Sequence, residues 1–277
     1  MLADVYTIDL GFIEGPARMT GGRLCVASIN RGCVYVIDQS GQVERKIETG
    51  GGPNGLAVCG ETIYVAQNGG IFGASGKTKG GVQRIVGDKV ELLFPEAFTA
   101  PNDLCFGPDG RLYVTDPLTD KALTEPVLGR VVACDVDTGK WEVVVEDRLF
   151  PNGLAFDSSG EVLYLAQTYQ KLIERFRFDA GQLTSEGTFC NLTNGRPDGI
   201  AVDQEGKLWI CTPGTGGIEV FTKDGRFDRR IELGEGTMTT NLCFGGADMH
   251  NLYVSASARS SVWTLRADAP GLALYPR

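Results

Sequence analysis

One short phrase recurs along the chain at intervals of 40 to 50 residues, and it limits the fold more than any other feature. It reads Pro-Asn-Gly-Leu-Ala-Val at 53–58 and Pro-Asn-Asp-Leu-Cys-Phe at 101–106. It returns as Pro-Asn-Gly-Leu-Ala-Phe at 151–156 and Pro-Asp-Gly-Ile-Ala-Val at 197–202. Weaker copies are Glu14-Gly15-Pro16 near the start and Thr240-Asn241-Leu242-Cys243-Phe244 near the end. A repeat of this length cannot bury its apolar face alone, so the copies must stack into a solenoid or close into a propeller.

The residues between copies select the propeller. After each phrase comes a turn and then an apolar run, such as Leu24-Cys25-Val26-Ala27, Ile63-Tyr64-Val65-Ala66 or Leu112-Tyr113-Val114-Thr115. A third run follows, such as Val34-Tyr35-Val36-Ile37, and then a short polar one, such as Val43-Glu44-Arg45-Lys46-Ile47. Four short strands per unit, joined by turns such as Asp109-Gly110 and Asp224-Gly225, make a blade. Six copies predict an all-β, six-bladed β-propeller, four antiparallel strands per blade, filling residues 1–277 as one domain. No long stretch of helical period competes. The alternating segment from Asp4 to Leu10 is expected to supply the outer strand of the last blade, which removes the open edge of the ring.

In such a ring the polar slot of the phrase faces the central axis. It holds Glu14, Asn54, Asn102, Asn152, Asp198 and Asn241. Each Pro-Asn-Gly alone is an ordinary turn signal. Taken as a set, the exceptions matter: Glu14 is a poor turn residue, and Asp198 stands where Asn would turn equally well. Glu14 and Asp198 together balance one divalent cation, and Asn152 and Asn102 add neutral oxygens. The expected ion is Ca²⁺, with Mg²⁺, Mn²⁺ or Zn²⁺ as alternatives, in a central metal site. Asn54 and Asn241 read as the plain structural form of the slot.

Other chemistries find little support. The one histidine, His250, sits in a turn, which argues against Ser-His-Asp or Cys-His catalysis. No phosphate-cradling or dinucleotide motif is correctly placed. A net charge of −9 without a basic cluster excludes a nucleic-acid partner. The N-terminus lacks the basic and apolar regions of a signal peptide, and no apolar run is long enough to span a membrane. Eight cysteines without metal spacing, mostly inside apolar runs, point to reduced buried thiols and a cytoplasmic location. The protein is expected to be a monomer or small homo-oligomer. What remains is metal-assisted hydrolysis with Asp198 activating water.

At these residues the whole chain resembles the gluconolactonase / senescence marker protein / luciferin-regenerating-enzyme family of six-bladed propellers. The resemblance rests on Glu14-Gly15-Pro16, Pro101-Asn102-Asp103, Pro151-Asn152-Gly153 and Pro197-Asp198-Gly199. It implies that Glu14, Asn152 and Asp198 hold a catalytic divalent cation. It also implies that Asn102 completes the shell or touches substrate. It makes Asp198 the general base or, as in related phosphofluoridate hydrolases, a nucleophile. The chain departs from the animal sugar lactonases at Ala100, where they carry an arginine; a family acidic loop contact is matched only loosely by Asp120. Strand-end residues Gln67, Asp116, Gln167, Thr168 and Tyr169 are candidates to line the pocket, and Asn102, Asp120, Asp116 and Tyr169 are the expected substrate contacts. Loops 68–81 and 116–129 are long enough to act as lids. The resulting expectation is a metal-dependent hydrolase that opens a small lactone. The alternatives are an organophosphate or aryl-ester hydrolase at the same residues, or a non-catalytic propeller that binds a ligand.

Overall fold

The structure, a computed structural model, describes residues 3–71, 76–117, 121 and 125–276. Six four-stranded sheets follow one another along the chain, each an antiparallel meander. The first is β2 (Ile13–Arg18), β3 (Leu24–Ser28), β4 (Cys33–Ile37) and β5 (Val43–Glu48). β3 and β4 are buried along their whole length, whereas β5 is mostly exposed. A strand covered on both faces reads as a continuous apolar run, which is why the middle strands were so plain in the sequence.

The core lies between blades rather than within them. Val34 and Val36 of the first blade pack with Ile63 and Val65 of the second. Edge-to-face aromatic pairs cross the next seams: Tyr64–Phe106 at 5.2 Å, Tyr113–Phe156 at 5.3 Å and Trp209–Phe244 at 5.7 Å. Each such pair adds roughly 0.5–1.5 kcal/mol beyond the area it buries.

The ring closes as the alternation near the N-terminus predicted. β1 (Asp4–Thr7) pairs antiparallel with β24 (Ser261–Arg266), with Val5 opposite Trp263, so the first strand completes the last blade. The backbone N–H of Leu10 donates to the Ser260 carbonyl (2.9 Å), continuing the seam.

The recurring phrase is a β-bulge at the inner strand of every blade. Pro53 pairs with Gln67 and Leu56 with Val65, so three steps on one strand match two on the other. The same shift occurs at Glu14/Ala17, Pro151/Leu154 and Thr239/Leu242. In the third blade Asn102 N–H donates to the Thr115 carbonyl while Thr115 N–H donates to that of Asp103, so two residues face one; Asp198 and Gly199 face Cys211 likewise. The extra residue turns consecutive side chains out of the sheet alternation. Adjacent blades are then tied at the bulge: Gly55 N–H donates to the Asn102 carbonyl, Gly153 N–H to that of Asp198, and Gly199 N–H to that of Thr240.

That last bond corrects the sixth copy. Thr240, not Asn241, occupies the slot, because Leu242 pairs with Val254 as Leu56 does with Val65. Asn241 therefore takes the position held by glycine in most copies, and a one-residue shift sends it to the other side.

Candidate functional site

A cavity of about 750 Å³ opens over one end of the axis, and Glu14, Asn54, Asn102, Asn152, Asp198 and Thr240 all line it. The structure thus brings five of the six slot residues read from the sequence to one place, with Thr240 as the sixth member. Glu14, Asn54, Asn102 and Asn152 are buried and Asp198 is half-buried. The Asn152 amide nitrogen donates to Thr168 Oγ1 (3.1 Å), and that hydroxyl donates to the Pro197 carbonyl (2.9 Å). The amide is held from behind, and its oxygen is the atom left to meet a cation. Glu14 Oε2 accepts the N–H of Gly15 at 2.9 Å.

Directly below, the residue after each slot forms a second layer. It holds Gly15, Gly55, Asp103, Gly153, Gly199 and Asn241. Asn241 Nδ2 donates to Asp103 Oδ2 at 3.2 Å across a separation of 138 residues, that is, from the sixth blade to the third, opposite it in the ring. This pair bridges the axis under the cavity. Both side chains also bend back onto the next backbone N–H, at Leu104 and Leu242 (2.8 Å each). The glycines make room for it: a Cβ on Gly55 would lie 2.1 Å from Asp103 Oδ1, and one on Gly199 2.3 Å from the Asn241 amide. Asp103 was missed in the sequence, although the signal was there: it is an acid where three strong copies have glycine.

The electrostatics of the two layers are those of acids without a counter-charge. Burial raises the proton affinity of Glu14, and the neighbouring Asp103 raises it further. Asp198 is held well above the usual carboxylate range by burial first, then by Glu14 and Asp103. Burial pushes Asp103 up to about 6 despite its bonds to Leu104 and Asn241. Among the described residues no Lys or Arg charge offsets any of the three. Among the described residues no three His, Cys, Asp or Glu side chains gather into a metal-holding group. A cation at the cavity floor would therefore need the amide oxygens of Asn152 and Asn102 as well as the carboxylates of Glu14 and Asp198, a hard oxygen set of the kind Ca²⁺ takes.

The walls above are largely apolar, with Phe12, Ile29, Phe150, Pro213 and Met238, and Thr168, Tyr169, Lys171 and Arg196 complete one side. Thr168 and Tyr169 thus reach the cavity, as the strand ends suggested. Asp116 does not. It is fully buried and accepts hydrogen bonds from the N–H groups of Thr99 (3.1 Å) and Ala100 (3.0 Å), with Arg130 Nη2 at 3.2 Å. As a substrate contact it is corrected: its register opposite Arg130 turns it back into the blade. Gln67 and Gln167 are likewise spent on buried blade networks, with Gly52 N–H and Gln83, and with Glu174, respectively. Asp120 lies outside the described residues, as do parts of both long loops.

Comparison with known proteins agrees with the six-bladed fold. The chain matches the SMP-30/Gluconolactonase/LRE-like region over residues 12–258. It is 28% identical to the gluconolactonase of Zymomonas mobilis, covering 92% of this chain and 78% of that protein. It is 30% identical to a pentonolactonase of Haloferax volcanii over 65% of this chain, and there it spans only 61% of the relative's length. Among solved structures, a luciferin-regenerating enzyme superposes with a TM-score of 0.83 at 15% identity, covering 99% of this chain and 98% of that one. A calcium-binding regucalcin from Agrobacterium tumefaciens gives 0.80 at 21% identity, covering 98% and 96%. At such identities the structural likeness speaks for the fold. The match over 12–258 goes further: the chain belongs to the SMP-30/gluconolactonase/LRE-like family.

Proposed function

We propose that this protein is a divalent-cation-dependent hydrolase that opens a small lactone on the floor of the axial cavity. The observation that carries the reading is the meeting of Glu14 and Asp198 over Asp103 at the cavity floor, where, among the described residues, no Lys or Arg offsets their charge. Unpaired buried charge is costly, so such a set must either hold protons or hold a cation. Glu14, Asn152 and Asp198, with Asn102 beside them, would hold one ion. Bound there, it would supply positive charge beside the ester carbonyl oxygen and make the carbon more electrophilic. The names of the relatives, a gluconolactonase and a pentonolactonase, support the reaction class, and the calcium-binding regucalcin makes Ca²⁺ the first ion to test. A cytoplasmic location belongs to the same proposal and rests on eight cysteines that are all free thiols.

Asp198 then acts as the base. It accepts a proton from water as the water oxygen bonds to the ester carbon. The ring C–O bond breaks, Asp198 returns the proton to the departing ring oxygen, and the product is the open hydroxy acid. Asn152, braced by Thr168, keeps its oxygen in place throughout.

The test is proton release from a panel of five- and six-membered lactones by chelator-stripped protein, before and after Ca²⁺, Mg²⁺, Mn²⁺ or Zn²⁺ is added back. The expected result is opening only with a cation, lost in Asp198→Asn. Undiminished opening by that variant would overturn the mechanism. A second reading, aryl-ester or phosphotriester hydrolysis at the same residues, is favoured by the apolar walls at Phe12, Ile29, Phe150 and Met238. A phosphotriester and aryl-ester arm in the same panel separates the two.

A further inference from the structure

We propose that Arg196 and Lys171 form an anion-recognising subsite on the rim of the cavity, and that the lactone opened here carries a carboxylate on an otherwise largely apolar frame. The inference rests on the lactonase reading above and adds the substrate class to it.

Charge is divided by depth in this cavity. Its two lining carboxylates, Glu14 and Asp198, lie on the floor, and its two lining cations, Arg196 and Lys171, are both exposed. Neither cation is paired with an acid among the described residues, in a chain whose net charge is −9 and where many other basic groups are paired. Phe12, Ile29 and Phe150, none of them exposed, line the same cavity together with the exposed Met238; these walls are a poor match for a ring dense in hydroxyls, because each hydroxyl placed against them would lose water without gaining a partner.

The Arg196 side chain and the Lys171 backbone are held in position. The loop that carries Arg196 is pinned on one side by the fully buried Glu219, which accepts from the N–H groups of Thr193 (3.0 Å) and Asn194 (2.7 Å) and from the Thr193 hydroxyl (2.6 Å). On the other side the Pro197 carbonyl accepts from Thr168. The Arg196 guanidinium lies over the Tyr169 ring, 4.8 Å from its centre, which fixes the plane of its donors. Tyr169 in turn meets Phe150 edge-on at 6.0 Å. Lys171 closes the same turn that holds Thr168 and Tyr169, with its backbone at φ 57 and its N–H toward the Thr168 carbonyl. One turn and one pinned loop therefore present a planar fork and a point charge to the same cavity, a combination suited to two carboxylate oxygens.

The experiment compares a matched pair: 5-oxotetrahydrofuran-2-carboxylate and its primary amide, which share the ring and differ in charge. Glucono-δ-lactone serves as a hydroxyl-rich neutral reference. In the cation-loaded wild-type protein, kcat/KM for the acid is expected to exceed that for the amide by about tenfold or more, as for a charge-assisted contact at a partly solvated rim. Raising the salt concentration should narrow the ratio. Arg196→Gln with Lys171→Gln should bring it close to one, chiefly through KM for the acid, and Arg196→Lys should keep part of it. An amide opened as fast as the acid by the wild type, or variants that slow both substrates alike, would overturn the subsite. Calorimetry with tetrahydrofuran-2-carboxylate, which has no ester bond to open, separates this from the parent reading. If no lactone is opened, the lactonase reading fails. Binding weakened about tenfold by the double variant would then still support the subsite, and equal binding would overturn it.

Discussion

Two kinds of buried carboxylate occur in this molecule, and the contrast between them locates the chemistry. Those inside the blades are fully answered. Glu174 takes two bonds from Arg148 (2.6 and 2.8 Å) and one each from Gln167 and Ser185. Glu219 takes three from the 193–194 loop, and Asp203 takes the N–H groups of Glu205 and Lys207 and the Trp209 indole. Asp116 is paired with Arg130 and two backbone N–H groups. Of the axial acids, Glu14 and Asp103 are buried and Asp198 is half-buried; among the described residues amides, hydroxyls and backbone groups are their help, and burial drives all three toward protonation. The blade acids hold strands and loops together. The axial acids are left short of positive charge, which makes them the ones able to take a cation.

The sharpest way to break this contrast is to neutralise one acid of each kind. Asp198→Asn should lower kcat for lactone opening by about a thousandfold, the scale of a lost general base, with an unchanged far-ultraviolet circular dichroism spectrum. Glu174→Ala should do the opposite. It leaves Arg148 without its partner and should cost about 2–3 kcal/mol in urea unfolding, below the usual range for a broken buried pair because Arg148 keeps some water. Its kcat should stay within a few-fold of wild type. A Glu174 variant that is stable but inactive would erase the distinction.

A smaller effect is expected in the pH dependence of chelator-stripped protein. Asp103 has a folded value of about 6 against an ordinary 3.8, and Glu14 and Asp198 are raised as well. Between those values the folded state keeps protons that the unfolded state has released. Stability is therefore full below the ordinary carboxylate range and falls as pH rises from about 4 through 6 for Asp103 and on through about 7 for Glu14, with Asp198 adding to the loss in the same direction. Thermal melts of the stripped protein should show that decline, and a saturating divalent cation should remove it. A flat profile in the stripped protein would mean that the axial acids are as well answered as the blade acids. The smallest effect should follow Thr240→Val, which deletes a hydroxyl that bonds to the Ile13 carbonyl and Ser257 and favours the charged form of Glu14. It should weaken cation affinity by a few-fold, as for one neutral hydrogen bond.

Much of this could be read in advance, for identifiable reasons. Six copies of one phrase at blade spacing made the ring legible, and the middle strands were plain because both faces are buried. Glu14 and Asp198 stood out as departures from Asn. The register of the sixth copy was not legible, since Thr240 and Asn241 are both polar and only the pairing of Leu242 with Val254 decides between them. Asp103 escaped because the phrase was scanned for what fills the slot, not for what replaces the glycine after it. Asp116 was misplaced because a polar strand end looks the same whether it faces a cavity or turns back to an arginine on the next strand. The rim cations were invisible for a related reason: the turn at 168–171 and the loop at 192–197 are adjacent only once the two outer strands of the fourth blade pair, with Leu172 opposite Asn191 and the Leu192 N–H donating to the Lys171 carbonyl.

The central claim is that the axial carboxylates, and not the blade carboxylates, bind the cation. Calorimetric titration of chelator-stripped protein with Ca²⁺ tests it most directly. The prediction is one ion per chain in the wild type and in Glu174→Gln, with binding abolished in Glu14→Gln and Asp198→Asn. Equal Ca²⁺ binding by all four proteins, or none by the wild type with any of Ca²⁺, Mg²⁺, Mn²⁺ and Zn²⁺, would contradict it.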